Sequence, residues 1–295
     1  MARWRGSTLS VTATGARVLD DDDLGAAAAL CATVPVESVL AANRIEAVVR
    51  SGLRSSGGQL WGFEQGGELL AVCWAGANLV PVVPAGAKGA LNAFAVLARA
   101  QGRQCSSIVG EADAALGLWA RLSDVWSRPR EIRANQPSLV IDHAPLVEPD
   151  PLVRRSRTSE YELVLPACVA MFAEEVGYSP ASGPNGPYET RVRSLIAEDR
   201  SFIRLVRGAR GPEVAFKAEL GAVAVGVAQV QGVWVAPQHR GQGLSETGMA
   251  AVVEATRNEV ADTVSLYVND YNTKALAAYR RVGFRQVGTY ATVLF

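Results

Sequence analysis

One turn in the C-terminal half of the sequence has the residue types of an anion-binding site. An apolar run ends at Pro237, and the segment Gln238–Gly243, which contains Arg240 and a Gly-x-Gly step, opens a helical pattern. The first N–H groups of a helix have no partner inside the helix, and glycine lets phosphate oxygens approach them closely. Arginine adds a charge-assisted contact. The turn therefore predicts pyrophosphate binding, while a plain strand-to-helix connection stays open as the alternative.

The spacing of this turn argues against two common nucleotide sites. It lacks the third glycine of the dinucleotide fingerprint, and it lacks the Gly-Lys-Ser/Thr ending of a nucleoside triphosphate loop. It also lies late in the chain, whereas a dinucleotide fingerprint follows a first strand. A different phosphate-bearing ligand is therefore favoured.

A second motif follows the turn, after one further strand pattern. The turn fits Gln/Arg-x-x-Gly-x-Gly/Ala, and the later helical segment fits Asn-x-x-Ala-x-x-x-Tyr closed by Gly-Phe. The matching residues are Gln238, Gly241, Gly243, Asn272, Ala275, Tyr279, Gly283 and Phe284. The two motifs together resemble the GNAT superfamily of N-acetyltransferases, and the resemblance covers about residues 153–295.

The resemblance implies a fold, a co-substrate and a reaction. The fold is α/β (α+β), a mixed, mostly antiparallel central sheet flanked by helices. The co-substrate is acetyl-CoA, no metal takes part, and the acetyl group passes directly to a primary amine of a small molecule or a protein. Tyr279 becomes the general acid that protonates the departing CoA thiolate. The implied donor contacts are Val233, Trp234, Val235, Gln238, His239, Arg240, Gly241, Gln242, Gly243, Leu244, Ser245 and Asn272.

Several of these residues have a purely structural alternative. Tyr279 can pack on the apolar face of its own helix, and Asn272 can cap that helix. The general base is not found, because the strand before the turn offers Gln229 and Gln231, which cannot take a proton. The missing carboxylate keeps a second function open, a non-catalytic acyl-CoA-binding regulatory module. The adjacent acidic pair of residues 174–175 either attracts a cationic amine or forms a solvated helix end.

The elements that position these residues follow one order in the second half, β-α-α-β-β-β-α-β-α-β. The last of the three consecutive strands is long enough to hold a turn or bulge. The predicted elements are a strand at Val153–Arg157, helices at Pro166–Gly177 and Tyr188–Glu198, strands at Phe202–Arg207, Val214–Glu219 and Ala222–Ala236, a helix marked by Met249–Val260, a strand at Val264–Val268, a helix at Asn272–Val282 and a strand at Gln286–Phe295.

A weaker copy of the same order occupies the first half. Its equivalent turn, Val83–Gly89, lacks the Arg-Gly-x-Gly core, so the copy is interpreted as degenerate, as in tandem superfamily members such as mycothiol synthase. The proline-rich segment Asp142–Pro151 predicts an interdomain linker. We therefore expect two tandem GNAT folds, a degenerate domain over residues 1–147 and a catalytic domain over residues 148–295.

Composition narrows the remaining function classes. The 295 residues carry 29 basic and 29 acidic side chains, so the formal charge is zero and nucleic acid is not an expected partner. No apolar run approaches the roughly 18 residues of a membrane span, and no secretory signal is predicted after Arg3 and Arg5. We therefore expect a cytoplasmic protein whose partners are an acyl-CoA and an amine acceptor.

Overall fold

Two structural units divide the chain, and the division falls within two of its strands. The computed structural model describes residues 15–184, 186–209 and 211–295. Unit 1 comprises the described residues up to Gln136 together with Gly288–Phe295, and unit 2 comprises Pro137–Val287. The boundary predicted at residue 147 thus differs from this division. Residues 1–14, where a secretory signal was argued against, lie outside the described residues.

A mixed sheet with helices packed against it forms unit 1. In chain order its elements are β1 (Ala16–Val18), α1 (Leu24–Thr33), α2 (Pro35–Ser51), β2 (Gln59–Gln65), β3 (Glu68–Ala75), β4 (Asn78–Val82), α3 (Ala90–Gln101), β5 (Ser107–Glu111), α4 (Ala112–Ala120) and the first part of β6 (Glu131–Ile141). Strands β1 to β5 lie in sequence order, and only β4 and β5 pair in parallel.

The last residues of the chain complete the sheet of unit 1. Tyr290–Leu294 pair antiparallel with β5, and Val293 is fully buried in the same core as Phe94 of α3. The hydroxyl of Tyr290 donates to the carbonyl oxygens of Val36 and Glu37 in α2, at 2.8 and 3.0 Å. The C-terminal strand, which the sequence assigned to the second domain, is therefore part of unit 1 from Gly288 onward.

Unit 2 is likewise built on strands that pair in a mixed arrangement, and it begins within β6. Its further elements are β7 (Val153–Arg155), α5 (Tyr161–Val176), α6 (Pro187–Ala197), β8 (Ser201–Gly208), β9 (Gly211–Ala224), β10 (Val227–Val235), α7 (Leu244–Glu259), β11 (Thr263–Tyr267), α8 (Thr273–Val282) and the start of β12 (Arg285–Leu294). The strand order is β6-β11-β10-β9-β8-β7, and only β10 and β11 pair in parallel.

Alternating side chains of β9 serve the two faces of this sheet. Phe216, Ala218 and Leu220 join the core beneath α7 and α8. Lys217 and Glu219 point to the opposite face, where Cys168 of α5 contacts the Glu219 carboxylate. The motif helices and the α5–α6 pair thus lie on opposite faces of one sheet.

Three sequence predictions are corrected by the structure of unit 2. Helix α5 begins at Tyr161, so Pro166 lies inside it and not in its first turn; buried Val164 and Cys168 on either side of the proline hold that helix on the sheet. Strand β9 continues through the predicted break after Glu219 and turns only at its end, at residues 225–226. The predicted linker lies inside unit 2.

Contacts along that predicted linker explain why it belongs to unit 2. Arg204 of β8 donates to the Asp150 carboxylate at 2.6 Å, and the backbone N–H of Leu146 donates to the carbonyl of Val282 at 2.8 Å. Three prolines therefore mark an ordered connection here and not a domain boundary. Within the described residues, no helix is long and apolar enough to cross a membrane.

Candidate functional site

The parallel strands β10 and β11 pair over only a short distance. Val227–Gln229 pair with Thr263–Ser265, whereas β10 stays paired with β9 as far as Val235. A register shift between Gln231 and Trp234 in the β9–β10 ladder contains Gly232, whose φ is +60°, and forms a β-bulge. Beyond Gln229, one backbone edge of β10 is therefore paired to β9, and the other has no ladder to β11 in the described part of the chain.

The side chains at the end of β10 are half-buried. Val233 and Val235 pack against the core beneath α7. Trp234 points to the other face, and its indole Nε1 donates to Glu174 of α5 at 3.2 Å. Because these side chains are already packed, a ligand can contact this part of β10 only through its unpaired backbone edge.

The turn after β10 opens α7 without a capping side chain. A short 3-10 turn at Pro237–His239 precedes Arg240, and α7 begins after Gly243. Gly241 and Gly243 have φ values of +76° and +79°, a backbone region that other residues rarely adopt. A Cβ at either position would meet nothing within 4 Å. The space above the first N–H groups of α7 is thus open, which suits an anion.

The polar side chains of the turn are paired with carboxylates. Arg240 donates to Glu174 at 2.6 Å and to the carbonyl of Val235 at 2.9 Å. His239 and Gln238 both contact Glu213, at 3.0 and 3.3 Å. These two hydrogen bonds hold the pKa of Glu213 below its ordinary value, and the bond from His239 has the larger effect. The side chains of Gln238, His239 and Arg240, which the sequence predicted as ligand contacts, are thus hydrogen-bonded to glutamate carboxylates.

The remaining turn residues form the start of α7. Gln242 donates weakly to the carbonyl of Gln238 at 3.5 Å. Leu244 and Ser245 are the first helical residues and are half-buried. Their N–H groups lie in the helix turn whose donors have no intrahelical acceptor.

Tyr279 lies on α8 and Asn272 is the N-cap residue of that helix, which lies on the same face of the sheet as α7. The Tyr279 ring packs near Phe284, with the centroids 5.9 Å apart, and the side chain is buried in the core. Burial, followed by the charge of Glu175, raises the pKa of Tyr279 above its ordinary value. Its hydroxyl has no hydrogen bond in the part of the chain that the structure describes. Asn272 caps α8, because its side chain accepts from the N–H of Ala275 at 3.2 Å.

A buried ion pair on β9 was missed by the sequence reasoning. Lys217 Nζ donates to Glu219 Oε1 at 2.5 Å and to the carbonyl of Gly232 at 3.0 Å. The Cys168 thiol also donates to Glu219 Oε1, at 3.3 Å. The available signal was a lysine and a glutamate alternating with apolar residues in Val214–Leu220. Among the described residues, no group of three or more histidine, cysteine, aspartate or glutamate side chains could hold a metal ion.

Two family models match parts of the chain. Residues 186–284 match the Acetyltransferase (GNAT) family, and residues 58–164 match a domain of unknown function, DUF4081. No curated protein matches the chain significantly. The GNAT match spans the glycine turn, the Asn272 cap and Tyr279, and the other match runs from the start of β2 in unit 1 to α5 in unit 2.

Solved structures share the fold over nearly the whole chain. A Drosophila protein is 15% identical with a TM-score of 0.63, covering 96% of this chain and 99% of that one. A GCN5-related N-acetyltransferase from Sphaerobacter thermophilus is 18% identical with a TM-score of 0.59, covering 94% and 93%. A tandem GNAT protein from the clavulanic acid biosynthesis pathway is 14% identical with a TM-score of 0.52, covering 95% and 98%. At these identities the likeness shows the fold.

Proposed function

Because the chain carries a GNAT-family acetyltransferase domain in a tandem GNAT fold, as the sequence motifs predicted, we propose that it transfers an acetyl group from acetyl-CoA to a primary amine. The observation that carries this proposal is the uncapped start of α7 beside the unpaired edge of β10. The first can take a pyrophosphate, and the second can take the amides of a pantetheine arm. Both belong to unit 2.

The donor contacts follow from these two features. The pyrophosphate accepts hydrogen bonds from the N–H groups of Gly241–Ser245, where the dipole of α7 also favours negative charge. Arg240 adds a charge-assisted contact once it leaves Glu174. The backbone groups of Val233 and Val235 pair with the pantetheine amides. The side chains of Gln238, His239 and Gln242 surround the phosphates, and Trp234, Leu244 and Asn272 border the bound donor.

Tyr279 is proposed as the general acid. The amine nitrogen forms a bond to the thioester carbonyl carbon, the C–S bond breaks, and the phenol gives its proton to the departing sulfur. Its raised pKa keeps the phenol protonated at neutral pH, and its unpartnered hydroxyl is available as a donor. Packing near Phe284 fixes the ring, so the core and acid roles of this tyrosine are compatible.

Unit 1 is proposed to bind no acyl-CoA. Its β3–β4 ladder has no register shift, so β4 lacks the bulge that β10 has. A Cβ on Gly110 of β5 would lie 3.3 Å from the carbonyl oxygen of Pro81 in β4. The two strands therefore stay close where a pantetheine arm would have to pass. Its equivalent turn also lacks the arginine.

The acidic residues near the β10 bulge support a cationic acceptor. Glu174 and Glu175 end α5, and Glu219 lies under the bulge. Both a small-molecule amine and a peptide amine fit this charge. We also propose a cytoplasmic location, because the four cysteines are free thiols, which is usual in a reducing compartment.

Two measurements test the proposal. Acetyl-CoA binding is followed by calorimetry, and CoA release is followed with a thiol reagent against spermidine, tyramine, glucosamine and L-lysine methyl ester. Wild type should bind acetyl-CoA and release CoA with at least one amine, and Gly241→Glu should bind none. Binding without CoA release on any amine would favour the regulatory module. An absence of binding to the wild-type protein would refute both functions.

A further inference from the structure

A carboxylate with one unused oxygen lies directly under the β10 bulge. Glu219 is only 6% exposed and stands opposite Gln231 in the β9–β10 ladder. Its Oε1 atom accepts from Lys217 and Cys168. Its Oε2 atom has no hydrogen-bond partner in the part of the chain that the structure describes. Glu219 Oε1 thus already accepts two hydrogen bonds, whereas Oε2 is available to accept one.

The cost of this arrangement argues against a purely structural role. Lys217 is fully buried, and taking two charges out of water offsets most of what their attraction contributes. Apolar residues of similar volume, such as those alternating with Lys217 and Glu219 along β9, fill such positions at no electrostatic cost. A buried carboxylate that stays charged beside one specific partner is a candidate functional group.

The bulge leaves this carboxylate uncovered. A Cβ on Gly232 would come within 3.2 Å of Glu219 Oε2 and 3.1 Å of Lys217 Nζ. Glycine at the bulge therefore keeps side-chain atoms away from Oε2. The bulge lies past the point where β10 separates from β11, which is the stretch of β10 with an unpaired edge.

The proposed general acid, Tyr279, and the Glu219 carboxylate lie on opposite faces of the sheet. Tyr279 packs with α7 and α8, whereas Glu219 contacts α5 through Cys168. A thioester held in the gap beside β10 would meet the phenol from one face and the carboxylate from the other. The attacking amine needs a proton acceptor near its nitrogen, and the leaving thiolate needs a proton donor near its sulfur.

We propose that Glu219 is the general base of the transfer and that Lys217 is its positioning residue. The inference rests on the proposed function. A cationic acceptor first gives one proton to water. The neutral amine nitrogen then bonds to the carbonyl carbon and loses one proton to Glu219 Oε2, while Tyr279 gives its proton to the departing sulfur. Water then removes the proton from Glu219 and returns one to Tyr279. Lys217 holds Oε1 and keeps the carboxylate ionised.

The charges around Glu219 support an ionised state at neutral pH. Burial, the largest single influence, raises the pKa of Glu219, but the charge and hydrogen bond of Lys217, together with smaller contributions from Arg191 of α6 and Cys168, bring the pKa below its ordinary value. Burial raises the pKa of Cys168 on α5 to about 12, and Tyr188 of α6 is also shifted upward by burial. Both neighbours are therefore neutral at neutral pH.

The test compares pH profiles of variants at this pair. Glu219→Gln should bind acetyl-CoA as wild type does and lower kcat about 100-fold or more, the usual contribution of a general base. Lys217→Met should move the acid limb of kcat/KM to higher pH, because the pKa of Glu219 rises when the ammonium is lost. Glu198→Gln, which changes an exposed carboxylate paired with Arg200, is the matched control and should match wild type.

A second readout does not depend on turnover. In protein labelled with ¹³C at glutamate carboxyl groups, the resonance that Glu219→Gln removes should titrate below the ordinary pKa of a glutamate side chain. It should move when spermidine is added with CoA present. The double variant Lys217→Met/Glu219→Gln removes both charges together, so it should keep the fold if a single variant loses it, and it should be as slow as Glu219→Gln.

The outcomes separate this inference from the proposed function. Absence of CoA release from wild type overturns both. Release from wild type that is unchanged in Glu219→Gln and in the double variant overturns the role of Glu219 alone. An acid limb that stays in place in Lys217→Met overturns the positioning role of Lys217. We expect Glu219→Gln to release CoA more slowly with unchanged acetyl-CoA affinity. We expect Lys217→Met to move the acid limb of the kcat/KM profile to higher pH.

Discussion

Replacing Gly241 by alanine places one methyl group above the start of α7. The φ of Gly241 is +76°, and a non-glycine residue in this left-handed region costs about 1–2 kcal/mol. The new Cβ would meet no protein atom within 4 Å, so no clash adds to that strain. We expect the melting temperature to fall by a few degrees. The protein should remain folded.

Acetyl-CoA affinity should fall much further than stability. The methyl group occupies the open space through which phosphate oxygens reach the N–H groups of the turn. A hydrogen bond to a charged group contributes about 1.5–3 kcal/mol, so the loss of one such bond weakens binding about 10- to 150-fold. The effect comes from the ligand's approach, because the folded protein loses no contact of its own.

Gly226 offers a matched control for the backbone strain. It lies in the β9–β10 turn with a φ of +75°, and a Cβ there also meets nothing within 4 Å. Gly226→Ala should therefore lower the melting temperature as Gly241→Ala does and leave acetyl-CoA binding unchanged. Calorimetric titration of the two variants and wild type measures both effects. Equal acetyl-CoA affinity in all three proteins would refute the reasoning.

Three further predictions concern the acid, the turn and the last strand. Tyr279→Phe should slow CoA release about 100-fold while the free energy of unfolding changes by less than about 1 kcal/mol, because the hydroxyl has no partner; chemical denaturation and the thiol assay check this. Glu174→Gln should tighten acetyl-CoA binding up to about fivefold by freeing Arg240 from an exposed ion pair, measured by calorimetry. Deleting Gly288–Phe295 should expose unit 1 to limited proteolysis, because the strand after Gly288 belongs to its core; a protected unit 1 would contradict the strand assignment.

Local sequence patterns predicted the elements around the turn well. Helical apolar spacing located α7, and the run from Asn272 to Gly283 marked α8 with both its ends. The GNAT fold was also predicted, from motifs that encode local geometry, and the tandem arrangement was predicted from a weaker repeat of the same element order. Such features depend on residues close in the chain, where periodicity and end signals operate.

Features that depend on distant contacts were not predicted. Pro166 signals a first helical turn, yet packing of α5 on the sheet extends the helix before it. The boundary at residue 147 followed proline content, whereas the sheet of unit 1 recruits the last strand of the chain. Glu219 was passed over because the search for a base was limited to β10. Strand pairing brings the carboxylate of β9 beneath the bulge of its neighbour, and one-dimensional patterns do not specify that pairing.

The stoichiometry of acetyl-CoA binding tests the central claim most directly. The donor site is assigned to the α7 turn and the open edge of β10 in unit 2. In unit 1, β4 lacks the bulge that β10 has, and the turn at Val83–Gly89 lacks the arginine. Calorimetric titration of acetyl-CoA into the wild-type chain should therefore give one site per chain, and Gly241→Glu should abolish it. Two sites per chain, or one site that survives Gly241→Glu, would contradict the assignment.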